Sequence, residues 1–461
     1  MSKINLFIIS FLSLTCSHGQ NRQNSQIEKS VDSLVSPQFK ENEPGMSILI
    51  AKHGEIIYQK AFGSANIELN VPLQPDMIFR IGSVTKQFTA IAILQLVEQG
   101  RISLQDTIQK FIPDFPSKSY PITIENLLTH TSGIFDYSKL EDPSPYIDRW
   151  DFTPQFILDK IKKLPLNFEP GTKYDYSNSG YLLLGLIIEK VTGKSYHHYV
   201  EENLLKPADL RNTLYAHEHT IVPKRVTGYT RDNGFFENCD YQSMSFGFAA
   251  GDLLSNVGDL LKWNNALLQY KLVKKETLEK AFTPFKLKDG MNSKYGYGWF
   301  VDSLQANKCI HHEGQMSGFI AEEKYFPQED VFVAILTNVK SGEDKTYFSA
   351  ERFALMNDIA FLSIGKRLQM NVKLSDEILN SYVGTYQFAT SKKRILTITK
   401  KDNNLMAKIS GQGSWRIVFQ SATKFMFEGV DGAECEFVLE KGKITKIAVK
   451  QNGQFFWNKM E

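Results

Sequence analysis

In the stretch Ile81-Gly82-Ser83-Val84-Thr85-Lys86-Gln87-Phe88, a serine and a lysine stand three residues apart. On a helix that spacing puts both side chains on one face, within reach of each other. Burial disfavours an ammonium, and a lysine kept neutral can take the proton of a serine hydroxyl. Such a pair is a nucleophile with its own base. Ser-x-x-Lys occurs three times in the chain, the others being Ser363 to Lys366 and Ser421 to Lys424. The surroundings set the first copy apart. It heads the apolar run SVTKQFTAIAILQLVEQG, whereas the second puts its lysine past the end of a helix and the third lies between strands.

Two further stretches offer groups that such a pair needs. Tyr176-Ser177-Asn178 is the only Tyr-x-Asn in the chain and falls in a loop between a Pro170-Gly171 turn and an apolar helix. A tyrosine aimed at the Ser/Lys pair can relay a proton, and an asparagine can offer its amide to a substrate carbonyl. His312-Glu313-Gly314-Gln315 heads an expected strand. A glycine there lets another backbone come close, and the Gln315 N–H can join the Ser83 N–H as a second oxyanion donor.

The elements that must position these groups are legible in outline. Met46 to Ala51, a His53-Gly54 turn and Ile56 to Phe62 read as a β-hairpin. From Ser83 the apolar residues crowd nearly every face, which predicts a buried helix stopped by Gly100. Residues about 120 to 285 read as mainly helical, with Tyr181 to Gly193 the clearest helix. After Phe300 the texture turns to antiparallel strands, and Ala350 to Lys366 is helical again. Beyond residue 370, short alternating strands separated by KDNN, VDG, EKGK and QNG turns predict a small all-β barrel.

Taken together, FRIGSVTKQF, ITIENLLTHTSGI, FEPGTKYDYSNSGYLLLG and HHEGQMSGF resemble the signature stretches of the serine β-lactamase and penicillin-binding-protein superfamily. The similarity is to its class C-like branch, with esterases and D-aminopeptidases, and covers about residues 43 to 365. The resemblance implies a mixed α/β fold, an antiparallel sheet flanked by helices with an all-helical region. The tail, with Tyr382 to Phe388, is similar to the lipocalin-like β-barrel often appended to such hydrolases. Carried over, the resemblance makes Ser83 the acylated nucleophile, Lys86 its activating partner and Tyr176 the proton relay or deacylation base. Asn178 becomes a substrate ligand, and His312 and Gly314 line the far wall, with Gln315 beside them. One departure concerns substrate. Penicillin-directed members carry Lys-Thr/Ser-Gly where this chain has His-Glu-Gly, so a fixed ammonium gives way to an imidazole. That points away from penicillins and D-Ala-D-Ala termini and toward esters, small amides or peptides with D-residues. A true β-lactamase or D,D-peptidase, and a sensor that stays acylated, remain the alternatives.

The rest of the chain bounds the reading. With 461 residues, ordinary composition and a net charge of +2, it has room for two or three domains and no basic stripe for nucleic acid. Lys3 followed by apolar Ile4 to Leu14 suits a signal peptide cleaved before Gln20, with lipid attachment at Cys16 as the rival reading. Export to the periplasm or beyond follows. The expected organisation is a signal peptide over 1–19, a polar linker over 20–42, the hydrolase domain over 43–366 and the barrel over 370–461. Cys239, Cys309 and Cys435 make no disulfide framework. His217-Glu218-His219 lacks a third ligand at suitable spacing, so neither metal nor cofactor is expected; the partner is a small-molecule or peptide substrate. His130 is expected to brace a loop. The Tyr295, Tyr297 and Trp299 cluster is expected either to line a cleft or to pack a strand edge.

Overall fold

The computed structural model describes residues 24–460 apart from 117–118, 141–146, 216–218, 233–234, 305, 342–346, 367–373, 402–403, 412, 420, 429, 431–433, 441–442 and 451–453. The expected signal peptide, Cys16 and the His217-Glu218 pair lie outside the described residues. Among the described residues no helix is long and apolar enough to cross a membrane. The chain divides into two compact units, Met1–Asp302 with Lys308–Lys366, and Ser303–Asn307 with Arg367–Glu461.

The first unit is built on an antiparallel sheet. Strands β1 (Met46–Lys52) and β2 (Glu55–Phe62) form a hairpin. Its His53-Gly54 turn holds both residues at positive φ, 53° and 78°. That conformation matches the twist of the strands it joins. Four later strands, β3 (Phe300–Leu304), β4 (Asn307–Met316), β5 (Phe319–Phe326) and β6 (Val331–Thr337), complete the order β3-β4-β5-β6-β1-β2. Every residue of β6 is buried, as is β1 from Met46 to Ala51. These two central strands therefore read as continuous apolar runs, with both faces covered. Helix Val257–Leu268 packs on both.

Helix α1 (Thr85–Glu98) carries the first Ser-x-x-Lys motif. All its residues from Thr85 to Leu94 are buried, and Phe88 stacks on Trp263 with centroids 3.9 Å apart. A short 3-10 turn, Gly82–Val84, precedes it, so Ser83 sits one step before the α-helix proper. Gly100, at φ 70°, ends it in the left-handed cap that glycine accepts without cost. Helix α2 (Asn178–Thr192) packs against α1 and ends at Gly193, likewise left-handed.

One expectation needs correction. Residues 20–42 were expected to be a polar linker, yet 24–35 are helical and followed by the 3-10 turn Ser36–Gln38. Ile27, Val31 and Val35 recur every fourth residue and are all buried. That sparse apolar stripe is enough to pin a helix, and the polar residues between hide it in the sequence. Asp32 fastens it to β2, accepting from Tyr58 Oη at 2.8 Å and Lys60 Nζ at 2.6 Å.

The second unit contains a closed eight-stranded barrel running from Gly384–Phe388 to Gln454–Lys459. Its interior is filled by side chains that include Tyr386, Leu396, Leu405, Phe425, Phe437 and Ile447. Closure leaves no sheet edge exposed, which answers the alternation seen in the sequence.

Candidate active site

Lys86 is wholly buried, at 0% exposure, and its Nζ lies 2.9 Å from Ser83 Oγ. Two more oxygens surround it, Asn178 Oδ1 at 2.8 Å and the Ala250 carbonyl at 2.9 Å. Burial lowers its pKa to about 7, with the nearby Asp136 carboxylate opposing. A neutral amine has two N–H groups and one lone pair. The two N–H groups suit Asn178 and Ala250, which leaves the lone pair to accept the Ser83 hydroxyl proton.

Asp136 fixes this arrangement. Its Oδ1 accepts the Asn178 backbone N–H at 3.2 Å, and the Asn178 amide nitrogen lies 3.3 and 3.4 Å from the two carboxylate oxygens. The Asn178 carbonyl oxygen is thereby turned to Lys86. The asparagine expected to face substrate spends its amide on Asp136 and Ser138. Asp136 itself begins the 3-10 turn Tyr137–Lys139, accepting from Ser138 N–H. Sequence reasoning missed it. The one available signal was an acidic residue just beyond the ITIENLLTHTSGI stretch.

Tyr176 is half-buried and hangs over the lysine, whose Nζ is 4.8 Å from the ring centroid. Burial pushes its pKa well above 10, with the hydrogen bond to Ser83 opposing. The phenol is therefore neutral and able to pass a proton rather than to act as a standing base. His130 props the ring from below, with centroids 4.1 Å apart, and its Nδ1 accepts the Ser177 N–H at 3.1 Å. It braces the loop, as its position implied.

His312 is 1% exposed. Its Nδ1 donates to the Glu313 carbonyl at 2.6 Å, which leaves Nε2 to accept the Tyr295 hydroxyl at 2.9 Å. Burial, then the charge of Lys86, depresses its pKa to about 3. The imidazole is a neutral structural group with both nitrogens engaged, and the partly charged imidazole expected from the sequence is not what stands there. Tyr295, Tyr297 and Trp299 are all buried, and Tyr297 donates to Glu125.

Gly314 and Gly82 explain why β4 can lie so close to the start of α1. A Cβ on Gly314 would stand 1.9 Å from the Ile81 carbonyl oxygen and 2.9 Å from the Ser83 nitrogen. One on Gly82, at φ 50°, would stand 2.8 Å from the Gln315 nitrogen. Two missing side chains thus let the backbone around Ser83 and Gln315 meet, at the positive end of α1.

The other Ser-x-x-Lys copies are ordinary. Ser363 Oγ donates to the Ala360 carbonyl at a helix end, and Ser421 Oγ accepts the Lys424 backbone N–H in a turn. His198 pairs with Glu202 on the surface, and His197 stacks on Tyr215 with centroids 3.4 Å apart. Among the described residues no group of His, Cys, Asp or Glu is arranged to hold a metal, and Cys239, Cys309 and Cys435 are not joined in a disulfide.

Known proteins are similar to this chain. The Beta-lactamase family matches residues 31–354. Penicillin-binding protein 4* of Bacillus subtilis (strain 168) is 26% identical, over 88% of this chain and 93% of that one. The octameric penicillin-binding protein homologue from Pyrococcus abyssi superposes with a TM-score of 0.63 at 26% identity, covering 90% of this chain and 96% of its own. The D-amino acid amidase from Ochrobactrum anthropi SV3, complexed with L-phenylalanine amide, gives 0.64 at 25% identity, covering 75% of this chain and 99% of its own. With a family match over most of the chain and a Ser/Lys pair at its centre, this protein belongs to the beta-lactamase family of serine hydrolases.

Proposed function

We propose that the chain is an exported hydrolase that cleaves an ester or small amide through an acyl-enzyme on Ser83. The observation that carries this reading is the buried Lys86 nitrogen, 2.9 Å from Ser83 Oγ, with its pKa lowered to about 7. Lys86 takes the hydroxyl proton as Ser83 attacks the carbonyl. The Ser83 and Gln315 N–H groups hold the oxyanion. Tyr176 passes the proton to the leaving group, and a water activated beside Lys86 then releases the acyl group. Asn178 and Asp136 act through Lys86, by orienting it.

The amidase among the similar structures supports amide substrates, and the neutral His312 supports turning away from penicillins, whose carboxylate would find no charge there. Export rests on the apolar run Ile4 to Leu14. The relatives named as penicillin-binding proteins favour a second reading, in which a penicillin acylates Ser83 and stays.

The test compares p-nitrophenyl butyrate with a fluorescent penicillin, on the wild type and on Ser83→Ala. Ester turnover that vanishes in Ser83→Ala, with little penicillin bound, is the expected result. A long-lived penicillin adduct on Ser83 would favour the second reading. Ester turnover that persists in Ser83→Ala would overturn both.

A further inference from the structure

Lys86 and Thr89 stand one turn apart on α1 and hold consecutive carbonyls. The Lys86 amine donates to the Ala250 carbonyl at 2.9 Å, and the Thr89 hydroxyl donates to the Ala249 carbonyl at 2.6 Å. Residues three apart on a helix share a face, so one face of α1 grips two successive peptide units. Thr85 adds a third hold, its Oγ1 accepting the Leu253 N–H at 3.1 Å. Thr85 and Thr89 are both wholly buried, and neither has a part in the mechanism above.

A hydroxyl carries one proton. The Thr89 proton goes to Ala249, so in the 2.7 Å contact between Thr89 and Tyr196 the phenol is the donor. The 3-10 turn held in this way, Phe248–Ala250, begins on a strained residue. Phe248 has φ 42°, in the left-handed region where a bulky side chain is an outlier. Such a conformation persists only where its surroundings over-determine it. The Asp252 carboxylate accepts the Phe248 N–H, and the Phe248 ring packs on Tyr196 with centroids 5.2 Å apart. From the other side α2 presents Gly185, where a Cβ would stand 2.5 Å from the Ala249 Cβ. All these contacts converge on the turn that offers Ala250 to the lysine. With the Ala250 carbonyl fixed, a neutral Lys86 has both N–H groups engaged and its lone pair aimed at Ser83. With that carbonyl adrift, one N–H is released and the lone pair loses its direction.

We propose that Thr89 is a positioning residue for acylation, acting on Lys86 through the Phe248–Ala250 turn, with Thr85 supporting the same segment at Leu253. The inference rests on the acyl-enzyme reading above and deepens it, since it says what keeps the base aimed.

Thr89→Val removes the hydroxyl from a side chain of similar shape, and Thr89→Ser keeps it. With p-nitrophenyl butyrate, Thr89→Val is expected to lose about 10- to 100-fold in kcat with little change in KM, the cost of a misplaced catalytic group. Thr89→Ser is expected to recover most of that loss. A carbonyl oxygen on Lys86 favours the ammonium, so loosening it moves the acid limb of kcat/KM to lower pH, by about half a pH unit or more in Thr89→Val. The titratable groups that face Lys86, which are Asp136, His130, Tyr176, Tyr181 and His312, are the same in every variant. A loss of structure alone would lower the rate at every pH and leave the limb in place. Thermal melting shows which variants are folded, and Thr85→Val, expected to move the limb in the same direction, carries the test if Thr89→Val does not fold. An unmoved limb in the folded variant, or Thr89→Ser as impaired as Thr89→Val, would overturn the proposal. Intact mass of the quenched wild type separates the two levels. A butyryl adduct that Ser83→Ala lacks, together with an unmoved limb, sinks the role of Thr89 alone, while no adduct sinks the acyl-enzyme reading and this inference with it.

Discussion

Asn178 turns its carbonyl oxygen to Lys86, at 2.8 Å, and its amide nitrogen to the Asp136 carboxylate. That orientation makes the asparagine a holder of the lysine. It also ties the protonation of Lys86 to a carboxylate beyond hydrogen-bond reach of Ser83, which gives the first two predictions.

The acid limb of kcat/KM is expected near pH 7. A base works only when deprotonated, and burial lowers Lys86 to about 7. The neutral fraction, and with it the rate, falls about tenfold per pH unit below that value and levels off above it. Lys86→Arg, whose guanidinium keeps its proton, is expected to lose about 100- to 10,000-fold. A profile flat from pH 5 to 8 in the wild type would speak against Lys86 as the base.

Asp136→Asn is expected to move that limb to lower pH. The carboxylate favours the ammonium, so its neutralisation lowers the Lys86 pKa further. The kcat/KM profile of the variant, set beside the wild type, decides the direction. An upward shift would contradict the arrangement.

Gly314→Ala is expected to cost about 100-fold or more in kcat, because its methyl group would meet the Ile81 carbonyl and push β4 from the Ser83 backbone. Gly413→Ala serves as the control, since a Cβ there meets nothing within 4 Å. Equal activity in the two variants would remove the case for close backbone approach.

His312 makes stability depend on pH. Its folded pKa, about 3, lies below the unfolded value of 6.5, so the unfolded chain takes up the proton first as pH falls. The stability held by the neutral imidazole is complete above about pH 6.5 and is lost progressively toward pH 3. His130, also held well below its ordinary value by burial, adds in the same direction. Melting temperatures of the wild type and of His312→Gln, followed from pH 7 to 4, are expected to converge as pH falls. Parallel curves would show that His312 does not contribute.

Much of this site is legible in the sequence, and what is not has a common cause. Ser83 and Lys86 are local, three residues apart, so a helix alone brings them together. The strand behind Gly314, the hairpin at His53-Gly54 and the barrel strands follow from alternation and turn residues, which are also local. Asp136, Ala250 and Tyr295 reach the site from separate loops, and no spacing announces them. The same holds for the protonation state of His312. The sequence suggests a partly charged imidazole, but burial and the charge of Lys86 decide otherwise, and both come from distant residues. The helix at 24–35 was hidden differently, by a stripe only three apolar residues deep.

The central claim is a covalent acyl group on Ser83, and rapid-quench peptide mapping tests it most directly. The full chain would be mixed with p-nitrophenyl butyrate, quenched within its first turnovers, digested and sequenced by mass spectrometry. The mechanism predicts a butyryl group on Ser83 that appears and clears with turnover and is absent from Ser83→Ala. Turnover with no acyl group on Ser83 at any quench time, or with the group on another residue, would contradict it.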